Sequence, residues 1–457
     1  MSTRQSNINR RHFLKATSIT ATSLLVGAGR SNVTVTETYD LPADQVCILQ
    51  GKDSPSPGSW PEVVSKAIAN PFNGPKLRSQ NLHGKRIAVI TDDWGRPTPA
   101  SEFIPLLLEE LHAAGAEDNK IVFVTASGMH NPMKEADIAR KLGRDIVNRF
   151  RCISHDGGDR DMLAFCGVSE LGTPMWINRH VAEADYKIAL GRIYLHSCYG
   201  YEGGYKMIVP GVASFETIVR DHGMNFAETC TYGIHENPSR READAIGAHV
   251  GIDFIVNVVV NSRDEPVKAF AGRDVKAIHR AGIAFGDKDV WGAVTPWKSD
   301  VTVVCLGQNE RLNDPPNTET LRRAVSVTRK GGIILCESGT ETELRPDIFS
   351  ESIDEAVVNL SDPVSFNAML CKLSLSELIR LHEKRDWKYD ERTIQWRIKA
   401  VRGEFYRRRG LIAAHECQVI MTPDPAAALK RIIAKKGLHK CRTNIIVGGR
   451  VTLPRLS

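Results

Sequence analysis

The chain has 457 residues, of which 42% are apolar and 25% are charged, as in a soluble globular protein with room for two or three domains. Its net charge of +6 is small for this length, and no basic stripe is interleaved with aromatic residues, which argues against a nucleic-acid partner. The ten cysteines include no Cys-x-x-Cys pair, so neither a zinc cluster nor a disulfide framework is indicated.

Residues 1–40 are predicted to be a twin-arginine-type export signal with its linker. The segment NRRHFLK carries paired arginines, Arg10 and Arg11, and a short run of small and apolar residues follows it. That run is too short to span a bilayer. The prediction implies the twin-arginine export machinery as a partner and a periplasmic location. If the segment is instead a basic tail, the protein is expected in the cytoplasm.

Residues 41–285 are predicted to form an α/β domain. Short runs rich in β-branched residues predict buried strands, and segments with helical periodicity lie between them. This alternation is typical of a largely parallel sheet. The predicted strands are residues 86–91, 120–125, 186–190 and 254–260, and the predicted helices are residues 101–114, 134–148 and 274–285.

Residues 286–457 are predicted to form a second α/β domain, which begins at a polar, tryptophan-bearing joint over residues 286–298. Its predicted strands are residues 301–306, 332–336, 411–414 and 444–447, and its helical segments are residues 318–328 and 374–409. The sequence therefore predicts two α/β domains with largely parallel sheets.

Polar side chains follow three strands of the first domain. Asp93 and Arg96 come after the first strand, His130 after the second and His196 after the third. Because ligands bind at the carboxyl ends of strands in open α/β sheets, we expect these side chains to meet at one edge. Each also has a simpler explanation, as a loop histidine with its hydrogen bonds satisfied or as a turn arginine in a surface ion pair.

A glycine-rich turn follows His196 and leads to Lys206. Gly203 and Gly204 would let backbone amides approach a phosphate, with Lys206 nearby as a cation or a nucleophile. The alternative is an ordinary loop between a strand and a helix.

A third histidine is placed by helix periodicity. Ser214 is a predicted N-cap and Gly223 a predicted stop, and His222 continues the apolar stripe of the helix between them. His222 is therefore expected to point inward. It is either a packed side chain or a metal ligand held by its helix, since neutral imidazole binds nickel, copper or zinc.

Taken together, these motifs resemble the nickel-pincer lactate racemase family. The matching patterns are DxxRPxP from Asp93, AxGxH ending at His130, HxxxGxxGGxKxxxPG from His196 and the helix that ends near His222, in the same order and spacing. The resemblance covers roughly residues 40–285 well and the second domain loosely. It implies an active site in the cleft between the two domains.

The resemblance also implies a cofactor. The family holds nickel with a pyridinium mononucleotide whose sulfur and carbon donors form a pincer, joined to a lysine and completed by one histidine. Lys206 matches the lysine, and His222 matches the nickel ligand. Gly203 and Gly204 would lie against the nucleotide, and Asp93 would support the cofactor site. Cofactor-synthesis proteins are the implied partners.

The implied reaction is inversion of a 2-hydroxy acid. Removing a proton from Cα beside a carboxylate builds charge on an anion, whereas hydride transfer to the cofactor avoids this. Two bases on opposite sides serve the two enantiomers, and His130 and His196 match that pair. Arg96 matches the arginine that holds the small-molecule substrate.

Departures from the family pattern make lactate itself a doubtful substrate. Glu319 falls where a substrate-binding lysine of the second domain is expected, and a carboxylate there would repel the substrate carboxylate. Cys198, Tyr199 and Glu202 also differ from the residues of the lactate enzymes. Trp396 matches a pocket tryptophan or simply packs a helix. A bulkier or polyhydroxylated 2-hydroxy acid suits a changed pocket.

Two other functions remain open at this level. A dehydrogenase could use the same cofactor and pass electrons to a periplasmic acceptor. A non-catalytic solute- or cofactor-binding protein of the same fold would need neither His130 nor His196, so the presence of both argues for an enzyme.

Overall fold

Two six-stranded, largely parallel sheets form the framework of the protein in a computed structural model, which describes residues 45–224, 230–305, 318–338, 341–344, 417–437, 441–447 and 452–457. The described residues divide into two compact units. The larger unit contains residues 51–224 and 230–292, and the smaller unit contains the rest. The predicted fold class, α/β with largely parallel sheets, is confirmed.

The helices and strands alternate along most of the described chain. The strands are β1 (Val46–Leu49), β2 (Ile87–Asp92), β3 (Ile121–Ala126), β4 (Arg151–Ser154), β5 (Leu163–Val168), β6 (Pro174–Asn178), β7 (Tyr186–Ile193), β8 (Leu195–His196), β9 (Gly200–Tyr201), β10 (Phe254–Val260), β11 (Pro266–Gly272), β12 (Gly292–Thr295), β13 (Ser299–Cys305), β14 (Thr328–Glu337), β15 (Thr342–Leu344), β16 (Gln418–Thr422), β17 (Thr443–Val447) and β18 (Leu453–Leu456). The α-helices are α1 (Trp60–Ala69), α2 (Ala100–Ala113), α3 (Glu135–Leu142), α4 (Arg144–Arg149), α5 (Arg179–Ala182), α6 (Phe215–Gly223), α7 (Pro238–Val250), α8 (Val275–Asp289), α9 (Thr318–Ser326) and α10 (Pro425–Lys436).

The sheet of the larger unit has the strand order β11-β10-β7-β2-β3-β4. All neighbouring strands are parallel except β11, which runs antiparallel to β10. Every residue of β2 and β10 is buried, as expected for strands covered on both faces. The carboxyl ends of β2, β3 and β7 therefore share one edge of the sheet.

The helices of the larger unit bury apolar residues against this sheet. Phe103, Leu107 and Leu111 of α2 join one core cluster with residues of β2 and β3. The predicted helix over residues 134–148 is in fact two helices, α3 and α4, divided at Gly143. Gly143 has φ +98°, a conformation that side-chain-bearing residues rarely adopt and that ends a helix.

The sheet of the smaller unit has the order β1-β17-β13-β14-β16-β15, with only β15 antiparallel to its neighbour. Strand β1 pairs with β17 in a register that joins Val46 to Thr443. The strands β12 and β18 form a separate two-stranded ladder.

The two units differ from the predicted domain boundaries at two places. Residues 45–50 belong to the smaller unit, because β1 lies in its sheet and not in the domain predicted to begin at residue 41. Residues 286–292 stay with the larger unit, because α8 continues to Asp289 and the buried Trp291 packs against Tyr194 and Tyr201.

Several predictions concern residues outside the described ranges. These are the export signal over residues 1–40, the helical segment over residues 374–409 with Trp396, and the strand over residues 411–414. Glu319 lies in α9, but its side chain is not described. Among the helices that are described, none combines the length and apolar character needed to cross a bilayer.

Candidate active site

The predicted site residues gather in one pocket of the larger unit. Loops that follow β2, β3 and β7 contribute most of its lining, as expected for the carboxyl edge of a parallel sheet. Among the residues that line the pocket are Asp93, Arg96, His130, His196, Gly203, Lys206 and His222. Of the predicted site residues, only Gly204 is absent from this lining.

His130 is oriented by a buried carboxylate. Its Nδ1 lies 2.5 Å from Oδ2 of Asp93, which is 3% exposed. An ionised carboxylate only accepts hydrogen bonds, so Nδ1 carries the proton and Nε2 keeps its lone pair. Nε2 of His130 is thereby the ring nitrogen with a lone pair available to accept a proton. Asp93, predicted to support the cofactor site, lines the pocket and also holds this histidine.

His196 has the opposite arrangement. Its Nδ1 accepts hydrogen bonds from the backbone amides of Cys198 at 3.1 Å and Tyr199 at 3.3 Å. Desolvation and the neighbouring cations Lys206 and Arg96 hold the pKa of His196 well below its usual range. The neutral ring therefore carries its proton on Nε2 and acts as a hydrogen-bond donor. The two histidines are not equivalent in this structure.

Arg96 already has a partner within the pocket. Its Nε lies 2.5 Å from Oε1 of the buried Glu202, whose Oε2 accepts a hydrogen bond from Arg192 at 2.7 Å. Burial raises the pKa of Glu202, but the charges of Arg192 and Arg96 outweigh it and lower the pKa to about 2. Lys141 donates to the carbonyl of Arg96 at 2.9 Å and so fixes the backbone of this loop. Glu202 is ionised and shared by two arginines.

Lys206 lies in a short 3₁₀ turn after the glycines, with Nζ 5.4 Å from the centre of the Tyr199 ring. Desolvation and repulsion from Arg96, opposed by attraction to Glu202, lower the pKa of Lys206 to about 7. A large fraction of the amine is therefore neutral at neutral pH. A neutral lysine amine is a nucleophile, as a covalent anchor requires.

The glycines serve the packing of the loop as well as the pocket. Gly203 and Gly204 have φ +84° and +62°, values that favour glycine. The amide of Gly204 donates to Oδ1 of Asn257 at 2.9 Å, and a Cβ there would meet the ring of His279 at 3.0 Å. The expectation that Gly204 offers a free amide and open space to a nucleotide is therefore wrong, whereas Gly203 does line the pocket.

His222 points inward from α6, as its periodicity predicts. Ser214 caps the helix by accepting the amide of Thr217, and His222 is 8% exposed. Its Nδ1 lies 3.0 Å from Oδ2 of Asp221. Within the described ranges, no group of three or more His, Cys, Asp or Glu side chains is arranged to hold a metal ion.

The sequence gives little sign of two further residues that shape the site. Arg240 is 1% exposed and donates to the carbonyls of Tyr199, Tyr201 and Gly203, so it fixes the glycine-rich loop. An arginine near the start of a helix has no periodic pattern that marks it as buried. Asp221 precedes His222 directly, and a carboxylate beside a candidate ligand is the signal that points to it.

Comparisons with known proteins agree with these motifs. Residues 35–233 match the family described as the lactate racemase N-terminal domain. The chain is 31% identical over 227 residues to a lactate racemase of Lactiplantibacillus plantarum, which covers 49% of this chain and 53% of the relative. It is 30% identical over 256 residues to a lactate racemase of Thermoanaerobacterium thermosaccharolyticum, which covers 54% and 59%. The chain thus spans somewhat more than half the length of these curated relatives.

A solved structure shares the fold over most of the chain. The lactate racemase apoprotein from Thermoanaerobacterium thermosaccharolyticum matches with a TM-score of 0.67 at 23% identity, over 93% of this chain and 98% of that one. At this identity the likeness supports the fold alone.

Proposed function

We propose, from the match of residues 35–233 to the lactate racemase N-terminal domain family, that this protein is a racemase or epimerase of a 2-hydroxy acid other than lactate. The observation that carries the proposal is the grouping of His130, His196 and Arg96 with Lys206 and His222 in one pocket. These groups supply a base, a hydrogen-bond donor, a cation for a carboxylate, a nucleophilic amine and an imidazole ligand.

The proposed cofactor is the nickel-pincer nucleotide, and the residues present fit it. Lys206 combines a pKa of about 7 with a position in the pocket, as a covalent anchor requires. His222 presents an imidazole whose Nδ1 is engaged by Asp221, which fixes the ring for ligation. Lys206 and His222 would hold the group, with Gly203 beside it. When bound, the cofactor supplies a reversible hydride acceptor.

The remaining residues bind the substrate and move its proton. Arg96 would hold the substrate carboxylate, in exchange for one of its contacts with Glu202. His130, with Nδ1–H held by Asp93, would take the proton of the 2-hydroxyl group on Nε2 and return it to the oxygen. His196 would donate from Nε2–H to an oxygen of the substrate. To act as the second base, His196 must release the amides of Cys198 and Tyr199 from Nδ1.

This asymmetry favours a second candidate function, a dehydrogenase that uses the same cofactor. Oxidation of one enantiomer requires one base, which His130 provides, and a donor that orients the substrate, which His196 provides. The two enzymes differ in their product. A racemase returns the inverted 2-hydroxy acid, whereas a dehydrogenase delivers a 2-keto acid and electrons to an acceptor.

The test begins with protein produced together with the cofactor-synthesis proteins. We expect nickel in the purified protein and an added mass at Lys206, both lost in Lys206→Ala. The proposal is contradicted if the protein contains no nickel and no cofactor, either covalently attached at Lys206 or noncovalently bound. A panel of 2-hydroxy acids that includes sugar acids is then incubated in heavy water. Inversion with the Cα hydrogen retained supports a racemase, keto-acid formation with an added electron acceptor supports a dehydrogenase, and no turnover supports a binding protein.

We further propose that the protein is exported already folded and loaded, through the twin-arginine signal at Arg10 and Arg11. A cofactor made in the cytoplasm suits a route that carries folded proteins.

A further inference from the structure

We propose that Asp221 and Tyr199 are positioning residues that hold the His222 imidazole in the tautomer and orientation in which Nε2 ligates nickel. The proposal rests on the proposed function and adds to it the residues that keep the metal in place.

Three side chains form a closed triangle of hydrogen bonds. Nδ1 of His222 lies 3.0 Å from Oδ2 of Asp221 and 3.1 Å from the hydroxyl oxygen of Tyr199. The hydroxyl of Tyr199 donates to the same carboxylate oxygen of Asp221. Asp221 and Tyr199 are fully buried, so water does not compete for these bonds.

The triangle fixes which nitrogen of His222 carries the proton. The Asp221 carboxylate accepts from both neighbours, so Nδ1 of His222 is the protonated nitrogen and Nε2 has the lone pair. A metal ligand needs that lone pair. Hydrogen bonding of the other ring nitrogen to a carboxylate is also the arrangement that orients histidine ligands and raises their basicity.

The two positioning residues come from separate elements. Asp221 stands beside His222 in the last turn of α6, whereas Tyr199 comes from the loop that precedes Lys206. The Tyr199 ring lies 5.8 Å from the ring of His222, and Nζ of Lys206 lies over it at 5.4 Å. Tyr199 therefore links the predicted nickel ligand to the predicted anchor of the cofactor.

A single oxygen of Asp221, Oδ2, makes both of these hydrogen bonds. A buried carboxylate is costly unless its hydrogen bonds are made, and here the Tyr199 hydroxyl and the His222 ring both donate to it. Replacement by Asn keeps the shape but offers an N–H to Nδ1. That change favours the tautomer with the proton on Nε2, and Nε2 then has no lone pair with which to ligate nickel.

The experiment measures how fast nickel leaves the loaded protein. Wild type, Asp221→Asn and Tyr199→Phe are produced with the cofactor-synthesis proteins and exposed to excess EDTA. Retained nickel is followed by elemental analysis, and the adduct at Lys206 is followed by mass spectrometry. We expect Asp221→Asn to lose nickel about 10- to 100-fold faster than wild type. Tyr199→Phe should change the rate in the same direction by a smaller factor.

Matched control substitutions remove the same side-chain groups at the amino-terminal end of β7, away from the pocket at the carboxyl ends of the strands. Asp185→Asn breaks a surface pair with Arg86 at the start of β7, and Tyr186→Phe removes a buried hydroxyl beside it. Both should lose nickel at the wild-type rate.

If Asp221→Asn and Tyr199→Phe both lose nickel at the wild-type rate and both keep the Lys206 adduct, this inference is wrong and the proposed function is unaffected. If Asp221→Asn does not fold, Tyr199→Phe decides, because it keeps the packed ring. Wild-type protein without nickel and adduct overturns the proposed function, and this inference with it.

Discussion

Nε of Arg96 lies 2.5 Å from Oε1 of Glu202, so the arginine predicted to hold a substrate carboxylate is already paired with a carboxylate of its own chain. Glu202 is also held by Arg192 at 2.7 Å. A substrate that binds Arg96 therefore exchanges one carboxylate for another, while Arg192 keeps Glu202 in place.

Replacing Glu202 should destabilise the fold in a pH-dependent manner. Glu202→Gln removes the buried carboxylate that Arg96 and Arg192 share, although Arg192 keeps its pair with Asp264. We expect a loss of about 3–5 kcal/mol in the free energy of unfolding at pH 7. The pKa of Glu202 is about 2 in the folded protein, against about 4.3 in an unfolded chain. Ionised Glu202 therefore contributes fully to the free energy of unfolding above about pH 4.3, and this contribution is lost as the pH falls towards 2.

Denaturant unfolding of wild type and Glu202→Gln between pH 7 and pH 3 tests this. The difference between them should narrow below about pH 4.3, and a constant difference down to pH 3 would contradict the ion-pair explanation. Glu183→Gln is the control, because it breaks an exposed pair with Arg179 and should cost less than about 1 kcal/mol.

The bond between Asp93 and His130 should matter for turnover and not for loading. Asp93→Asn removes the acceptor that keeps the proton on Nδ1, so Nε2 of His130 no longer presents a lone pair. We expect kcat to fall by roughly 10²- to 10⁴-fold on any 2-hydroxy acid that wild type converts. Nickel content and the Lys206 adduct should stay at wild-type levels. Asp137→Asn, on the exposed face of α3, is the control. If the two variants have equal kcat, Asp93 does not orient His130 for turnover.

The two pocket histidines should show opposite tautomers. Nitrogen NMR of protein labelled at histidine, assigned with His130→Gln and His196→Gln, should report Nδ1–H for neutral His130 and Nε2–H for His196. Because its pKa is held well below the usual range, the His196 signal should not change between pH 8 and pH 6. A His196 signal that titrates near pH 6.5 would be inconsistent with this arrangement.

Much of the fold and the site follows from local sequence patterns. Runs of β-branched residues predicted β2, β3, β7 and β10 to within a few residues. This works because buried strands of a parallel sheet are built from such residues, so the run itself marks where the strand lies. The meeting of His130 and His196 with Arg96 followed from the rule that parallel strands share a carboxyl edge.

Other features depend on contacts between distant residues. The pairing of Glu202 with Arg96 and Arg192, and the bonding of Gly204 to Asn257, have no periodic signal in the sequence. The tautomer of His196 depends on where two backbone amides point. The predicted domain boundary at residue 41 assigns the residues of β1 to the wrong unit, because their partner strand, β17, lies near the other end of the chain.

Lys206 should react with amine reagents at neutral pH. With a pKa of about 7, most of the amine is neutral at pH 8, whereas a lysine in a peptide has a pKa of about 10.4. In protein without the cofactor, we expect labelling of Lys206 to rise through about pH 7 and then level off. At pH 8 the neutral fraction exceeds that of a lysine peptide in the same tube on the order of 100-fold. Labelling that keeps rising to pH 10, in parallel with the peptide, would show an ordinary amine.

Export should depend on the paired arginines. Replacing Arg10 and Arg11 together by Lys keeps the charge but removes the twin-arginine motif. We expect the protein to accumulate in the cytoplasm, as measured by fractionation, while replacement of Arg4 by Lys leaves its distribution unchanged. Equal periplasmic fractions in both variants would contradict the signal.

The pairing of β1 with β17 sets an order for folding during translation. Residues 51–292, which hold every residue of the pocket, are complete on the ribosome before Thr443 has been made. Domains fold as units while synthesis proceeds. The pocket can thus form early. The backbone amides and carbonyls of β1 that pair with β17 stay unpaired until residues 443–447 have been made. A ribosome that stops before residue 443 would leave that edge of β1 exposed, as a template for pairing with other chains.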